Sequence, residues 1–154
     1  MYFEEKIKQI LNGRKGILFV DMDGVIADYE LNIPLDFKAK RPLLSSIKKL
    51  ENISLMNNIE LHILSVCKTD DQITDKNNWL DKYAPFFKKE NRVIISKESH
   101  PNIASKNLKL NYLILFAKER KEIIMMIDDD NGVLKHLASS LDNVILFQDS
   151  SLID

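Results

Sequence analysis

The sequence predicts an α/β fold with three layers, in which helices cover both faces of a mainly parallel sheet of about five strands. Apolar runs of strand length alternate along the chain with stretches whose apolar residues recur at helical spacing. Two of these runs, at 17–20 and 123–127, are entirely apolar, as is typical of strands buried on both faces. Both runs end in acidic residues, at the edge where ligands bind in Rossmann-like sheets.

Helix and strand patterns alternate through the first half of the chain. An apolar stripe over 3–11 predicts a short amphipathic helix that ends at Asn12 and Gly13. After the strand at 17–20, residues 25–41 lack a regular pattern, and we expect a loop or small flap there. Pro42 then opens a helix, and a strand follows over 60–65. The apolar face of that helix is predicted to consist of Leu43, Leu44, Ile47 and Leu50.

The second half of the chain continues the alternation. Thr69 and Gln72 have the spacing of a capping box, which predicts a helix that ends before Pro85. A strand is predicted over 92–96. The segment 105–120 is ambiguous because part of it has strand-like composition, and we favour a helix. The remaining predicted elements are a strand over 123–127, a helix from Val133 to Leu141 capped by Asp130, and a strand over 144–147.

Composition limits the classes of function. The 154 residues, 45% of them hydrophobic, predict a single domain (1–154) with a substantial core. A net charge of −1 and a sequence pI of about 6.3 argue against a general basic surface for nucleic acid or membranes. The single cysteine, Cys67, excludes an internal disulfide. Because the sequence contains neither a signal-peptide core nor a run long enough to span a bilayer, we expect a soluble cytoplasmic protein.

Acidic residues at the ends of two predicted strands indicate a shared site. Asp21 and Asp23 follow the first fully apolar run, and Asp128 and Asp129 follow the second. Because the carboxyl ends of parallel strands meet at one edge of a sheet, we expect these side chains to lie close together. Clustered carboxylates repel one another unless a cation lies between them, and Mg²⁺ prefers oxygen ligands. The sequence therefore predicts a magnesium site, the alternative being solvated acids at two strand ends.

Phosphate chemistry would need hydroxyl and cationic groups beside such a site. Ser65 ends another apolar strand at the same edge, where its hydroxyl could donate to a phosphate oxygen. A lysine would neutralise a transferring phosphoryl group, because this chemistry depends mainly on electrostatic placement. We therefore expect a lysine near the acids.

These segments together resemble the motifs of the haloacid dehalogenase-like superfamily of aspartate-dependent phosphohydrolases. Asp-Met-Asp-Gly-Val at 21–25 is similar to the first motif, Ser65 to the second, and the pair at 128–129 to the fourth. Lys106, which lies 22 residues before Asp128, has a suitable distance for the motif lysine. Two other lysines compete for that assignment, Lys97 and Lys118.

The resemblance implies that Asp21 attacks phosphorus and forms an aspartyl phosphate. Asp23 would protonate the leaving oxygen and then deprotonate the attacking water; neighbouring carboxylates are expected to raise its pKa, whereas a metal would lower it. Mg²⁺ would be held by the Asp21 side chain, the Asp23 backbone carbonyl and Asp128. Asp129 would contact the ion directly or through water. The phosphoryl oxygens would be bound by Ser65 and Lys106.

The sequence indicates the substrate class less clearly than it indicates the reaction. Residues 21–28 and the Lys-Asn-Asn-Trp-Leu segment at 76–80 are similar to the 5′(3′)-deoxyribonucleotidase branch of the superfamily. That branch carries a helical cap between its first two motifs, whereas only 43 residues separate Asp21 from Ser65 here. We therefore expect a phosphatase with an open site and a nucleotide as its most favoured substrate. The alternatives are a phosphatase acting on nucleic-acid ends or phosphoproteins, and a non-catalytic binding or regulatory protein of the same fold.

Several residues of the flap and its surroundings permit two interpretations. Tyr29 and Phe37 could stack on a base, but we expect one or both to anchor the flap. Trp79 is interpreted as a packing residue of its helix. Three basic residues could hold a phosphate ester or an oligonucleotide end, although a solvated face is the favoured interpretation. These residues are Lys38, Lys40 and Arg41.

Overall fold

A parallel sheet of five strands lies at the centre of the computed structural model, which describes residues 2–28, 37–118 and 120–153. The order of the strands across the sheet places the first of them in the middle, as β3-β2-β1-β4-β5. The strands are β1 (Gly16–Val20), β2 (Ile59–Cys67), β3 (Arg92–Ser96), β4 (Ile123–Asp128) and β5 (Val144–Gln148). The chain therefore reverses its winding direction between β1 and β4, which is where open α/β sheets bind ligands.

Helices pack on both faces of this sheet. In the described residues they are α1 (Phe3–Leu11), α2 (Leu44–Ser54), α3 (Asp70–Tyr83), α4 (Ser105–Ala117) and α5 (Asn131–Ser140). The first three helices share a core with Leu18 and Val20 of β1, whereas α4 and α5 share a second core with Ile17 and Phe19. Successive side chains of a strand point to opposite faces, which explains this division. The predicted three-layer α/β fold is confirmed.

Local sequence signals account for most of the element boundaries. Thr69 and Gln72 form the predicted capping box at the start of α3. Asp130 caps α5 by accepting hydrogen bonds from the backbone N–H groups of Gly132 and Val133. The ambiguous segment is the helix α4, because its apolar residues bury against the second face of the sheet. None of the helices in the described residues is long and apolar enough to cross a bilayer.

The predicted start and apolar face of α2 were partly wrong. The helix begins at Leu44 with Leu43 as its N-cap, so Pro42 does not open it. Leu44 is 68% exposed, whereas Ile47 and Leu50 are buried. Each residue of an α-helix advances by about 100° around the axis, so Leu44 lies about 60° from Ile47 but about 120° from Leu50 and about 180° from Ile53. It is therefore at the edge of the buried stripe, in the first turn of the helix. Burial of α2 is therefore completed by Ile53 at the other end of the helix.

The two ends of the predicted flap pair with each other beside the sheet. The backbone N–H of Asp28 donates to the carbonyl of Arg41 at 2.9 Å, and that of Leu43 donates to Ile26 at 2.8 Å. These hydrogen bonds fix the base of the flap between β1 and α2. Tyr29, one of the residues considered for base stacking, lies outside the described residues.

Phe37 and Trp79 join the flap to the core. Both side chains are buried, with their rings edge to face and their centroids 5.6 Å apart. The indole N–H of Trp79 also donates to the backbone carbonyl of Lys40 at 3.0 Å. Trp79 is thus a packing residue, as expected, and Phe37 anchors the flap.

Buried His62 leads to a prediction about pH and stability. Its ring lies 5.1 Å from that of Phe19 in the second core, and burial lowers its pKa despite the hydrogen bond with Glu60. The unfolded chain therefore binds a proton near pH 6.5 that the folded chain does not bind, so stability should fall as pH decreases through that value. We expect His62→Gln to be less sensitive to this change than the wild type. The measurement is the urea midpoint at pH 7.5 and 5.5.

The exposed His100 provides a control for that experiment. His100→Gln should retain the wild-type dependence of the urea midpoint on pH. If His62→Gln also retains it, protonation of His62 does not contribute to acid destabilisation.

Candidate functional site

Three of the predicted acids meet at the carboxyl ends of β1 and β4. The register of these strands pairs Val20 with Ile127, so Asp21 and Asp128 follow at neighbouring positions. Both aspartates are buried, and Asp129 is half-buried beside them. One carboxylate oxygen from each of the three lies within 4.8 Å of the others.

Lys109 contributes the nearest positive charge to these acids. It extends from α4, is 5% exposed, and places Nζ 2.6 Å from Asp128 Oδ2 and 3.3 Å from Asp21 Oδ1. Burial alone would lower the pKa of Lys109, but the two carboxylates outweigh burial and raise it. Lys109 is therefore a charged group in the described structure, and it partly balances the acidic cluster.

The lysine that contacts these acids is Lys109, whereas the sequence favoured Lys106 as the lysine near them. Lys106 is exposed in the first turn of α4, whereas Lys109, three residues further along, is buried and contacts the acids at the strand ends. The two competing candidates lie elsewhere: Lys97 follows β3, and Lys118 is exposed at the end of α4. Distance along the sequence could not distinguish two lysines separated by less than one helical turn.

A second lysine connects Ser65 with Asp23. Lys76 of α3 is 2% exposed, and its Nζ donates to Ser65 Oγ at 2.7 Å and to Asp23 Oδ2 at 3.1 Å. Lys76 Nζ makes a third hydrogen bond to the carbonyl of Val66 at 3.2 Å, so each of its three N–H groups has an acceptor. Sequence reasoning missed the role of Lys76, although its helical spacing from the buried Trp79 was an available signal.

Asp23 also contacts a lysine from the flap. Lys40 Nζ donates to Asp23 Oδ1, while Lys76 binds the other oxygen. Burial alone would raise the pKa of Asp23, but Lys76 and Lys40 outweigh burial and lower it. The expectation that neighbouring carboxylates raise this pKa was therefore wrong, because the two lysines contact Asp23 directly.

The three basic residues of the flap have different environments. The side chain of Lys40 is 10% exposed, whereas those of Lys38 and Arg41 are 67% and 77% exposed. A solvated face therefore describes Lys38 and Arg41 but not Lys40.

The acidic cluster has the properties of a cation site. Burial raises the pKa of Asp21 well above its ordinary value, and burial together with Asp128 raises the pKa of Asp129 to about 6. Lys109 lowers both pKa values, but it does not outweigh the effect of burial together with that of Asp128. Three carboxylates with oxygens this close could bind a metal ion, and a hard divalent cation such as Mg²⁺ suits an all-oxygen donor set.

Gly24 permits the close approach of Asp129 and leads to a prediction. Its φ is +79°, and a Cβ there would lie 2.0 Å from Asp129 Oδ2. We expect Gly24→Ala to lower the free energy of unfolding by about 1–2 kcal/mol from backbone strain alone. The clash should add to this loss and displace the Asp129 carboxylate. Urea unfolding and Mg²⁺ titration would measure the two effects.

Gly13 offers a matched control with a similar backbone angle. Its φ is +82°, but no atom lies within 4 Å of where a Cβ would be. Gly13→Ala should therefore show the backbone cost without an effect on Mg²⁺ binding. Equal losses in the two variants, with unchanged Mg²⁺ affinity, would contradict the proposed contact between residue 24 and Asp129.

Comparisons with known proteins provide evidence for the fold. No protein-family model matches the sequence, and no curated protein matches it significantly. Among solved structures, a chain in the structure of the Pnkp1/Rnl/Hen1 RNA repair complex is similar, with a TM-score of 0.67 and 14% sequence identity. The match covers 88% of this chain and 42% of that chain. The two chains share a fold.

Proposed function

We propose that this protein is a Mg²⁺-dependent phosphohydrolase that cleaves phosphate monoesters through an aspartyl phosphate on Asp21, as its resemblance to haloacid dehalogenase-like phosphatases implies. One observation carries the proposal. Buried Asp21 lies in an acidic cluster that could bind a cation, and two residues further along Asp23 accepts a hydrogen bond from Lys76, which also donates to Ser65. Nucleophile, cation site and phosphate-binding groups are thus combined at one edge of the sheet.

The metal would be held by the carboxylates of Asp21, Asp128 and Asp129, with the Asp23 carbonyl as the further ligand that the resemblance implies. Bound Mg²⁺ would neutralise charge on the phosphoryl group and orient it toward the nucleophile. Lys109 would offset part of the negative charge of Asp21 and Asp128, since its ammonium group contacts both.

The phosphoryl group would be bound by Ser65 and Lys76. The hydroxyl of Ser65 and the ammonium of Lys76 are both buried and 2.7 Å apart, so one phosphoryl group could accept hydrogen bonds from both. In this proposal Lys76 binds the phosphoryl oxygens and Lys109 supports the nucleophile. Lys106 has neither role.

The proposed reaction has two steps. In the first, a carboxylate oxygen of Asp21 attacks phosphorus, the bond to the leaving oxygen breaks, and Asp23 gives that oxygen a proton. In the second, Asp23 takes a proton from water, the water oxygen attacks phosphorus, and inorganic phosphate leaves Asp21. A bound phosphoryl dianion would share Lys76 with Asp23 and so favour protonation of Asp23, whose pKa the lysines otherwise lower.

Nucleotides are the first candidate substrates, because the sequence resembles the deoxyribonucleotidase branch. Nucleic-acid ends are the second candidate. Two observations favour them: the short interval between Asp21 and Ser65, which leaves room for a flap rather than a large cap, and the fold similarity to a chain of an RNA repair complex.

Phosphate release tests the proposal. The protein would be assayed with and without Mg²⁺ on 5′- and 3′-mononucleotides, end-phosphorylated oligonucleotides, phosphopeptides and an aryl phosphate. We expect metal-dependent release, and the best substrate decides between nucleotidase, nucleic-acid-end phosphatase and phosphoprotein phosphatase. If the protein binds Mg²⁺ and nucleotides but releases no phosphate from any substrate, a binding or regulatory role replaces the proposal.

A further inference from the structure

Lys40 is held in the site by its backbone and by buried aromatic rings. Its carbonyl accepts the hydrogen bond from the Trp79 indole at 3.0 Å, and its N–H donates to the Phe37 carbonyl at 3.2 Å. Its Nζ lies 5.2 Å from the centroid of the buried Phe37 ring. The position of this ammonium group is therefore built into the flap and does not depend on the contact with Asp23 alone.

Lys40 and Lys76 approach Asp23 from different elements. Lys76 binds Oδ2 and also donates to Ser65, so it belongs to the side of the site where the phosphoryl group would lie. Lys40 binds Oδ1 and comes from the flap. Because Asp23 is the proposed proton donor to the leaving oxygen, a cation that binds its other carboxylate oxygen lies within reach of the leaving group.

A cation at that position favours an anionic leaving group. The side chain of Lys40 is only 10% exposed, so solvent screens its charge weakly. A neutral sugar or aryl leaving group offers no charge to it, whereas a second phosphate can accept charge-assisted hydrogen bonds from an ammonium group. Phosphate is the anion that phosphorylated nucleosides and nucleic-acid ends share.

We propose that Lys40 is a specificity-determining residue that binds a second phosphate group, located on the leaving group next to the scissile ester. This inference rests on the proposed function. The preferred substrates are then phosphate monoesters that carry another phosphate monoester or diester nearby. Nucleoside bisphosphates and phosphorylated nucleic-acid ends both have this chemistry, whereas mononucleotides with a single phosphate lack it.

The test compares substrates that differ by one phosphate. Values of kcat and KM would be measured for a nucleoside 3′-monophosphate, the corresponding 3′,5′-bisphosphate, a dinucleotide with a terminal 3′-phosphate, and an aryl phosphate. In the wild type we expect kcat/KM to be about tenfold or more higher for at least one substrate with two phosphates than for the monophosphate, the effect of one charge-assisted hydrogen bond. In Lys40→Met this ratio should fall to near one, mainly through KM.

Two further variants keep the test specific. Lys40→Arg retains the charge and should preserve part of the preference. Lys38→Met removes a neighbouring charge that is 67% exposed and pairs with Asp75, and it should leave the preference unchanged. Folding of each variant can be followed by fluorescence of the single tryptophan, Trp79, whose hydrogen bond is to the Lys40 backbone and not to its side chain.

The outcomes separate this inference from the proposed function. If the wild type releases no phosphate from any substrate, the proposed function fails and the inference fails with it. If the wild type is active but Lys40→Met changes kcat/KM equally for all four substrates, the role of Lys40 is overturned while the proposed function stands. A preference for the dinucleotide alone supports the inference and indicates that the substrate is a nucleic-acid end. A preference for the bisphosphate alone also supports it and indicates that the substrate is a small molecule.

Discussion

The Asp21→Asn variant is expected to fold normally and to release phosphate at least about 10⁴-fold more slowly than the wild type. The side-chain amide cannot replace the carboxylate as a nucleophile, so no aspartyl phosphate can form. The substitution should not unfold the protein, because Asp21 is buried next to Asp128 and its pKa is raised well above the ordinary value. Removing this charge relieves repulsion within the cluster. Phosphate release and the thermal midpoint would be measured together.

Asp28→Asn serves as the matched control for this experiment. Asp28 lies at the base of the flap, where its side chain is 29% exposed and pairs with Arg41. This variant should keep most of the wild-type activity. Wild-type turnover in Asp21→Asn would exclude the aspartyl-phosphate mechanism, and unfolding of that variant would show that the charge of Asp21 is required by the fold.

Replacing Lys109 with methionine is expected to affect both stability and turnover. Methionine preserves much of the aliphatic volume but leaves Asp21 and Asp128 without the ammonium group that lies 3.3 and 2.6 Å from their oxygens. Removing one partner of a buried ion pair lowers the free energy of unfolding by about 3–5 kcal/mol. The pKa of buried Asp21 is already raised, and it should rise further without the ammonium group, so Asp21 takes up a proton more readily as pH decreases and the loss should be larger at pH 8 than at pH 6. Urea unfolding at both pH values and phosphate release would measure these effects.

Lys106→Met is the control, since Lys106 lies on the same helix and is exposed. It should unfold at the same urea concentration as the wild type and retain its activity. Mg²⁺ should restore part of the stability lost in Lys109→Met, because a cation bound only by the folded state stabilises that state. If Lys106→Met loses activity while Lys109→Met does not, the assignment made from the sequence is correct and the one made from the geometry is not.

The sequence by itself determined the layers of the fold and the edge at which the candidate site lies. The fully apolar runs at 17–20 and 123–127 are typical of strands buried on both faces, and β1 and β4 lie there with their acidic ends. Ser65 was selected in the same way, from the predicted end of an apolar strand, although β2 continues to Cys67. These features are encoded within a few neighbouring residues.

Only the tertiary structure decided which cations reach the acids. The three lysines come from separate segments: Lys76 from α3, Lys109 from α4 and Lys40 from the flap. Each is 17 or more residues from the acid that it binds, as in the pairs Lys40 with Asp23 and Lys109 with Asp128. Lys109 and Lys106 are less than one turn apart on α4, and the way this helix packs on the sheet brings Lys109 to Asp128. The lowered pKa of Asp23 likewise depends on lysines from two distant segments. The physical reason is that a strand fixes its polar end by its own sequence, whereas a helical side chain reaches the site only through the depth and angle at which its helix packs.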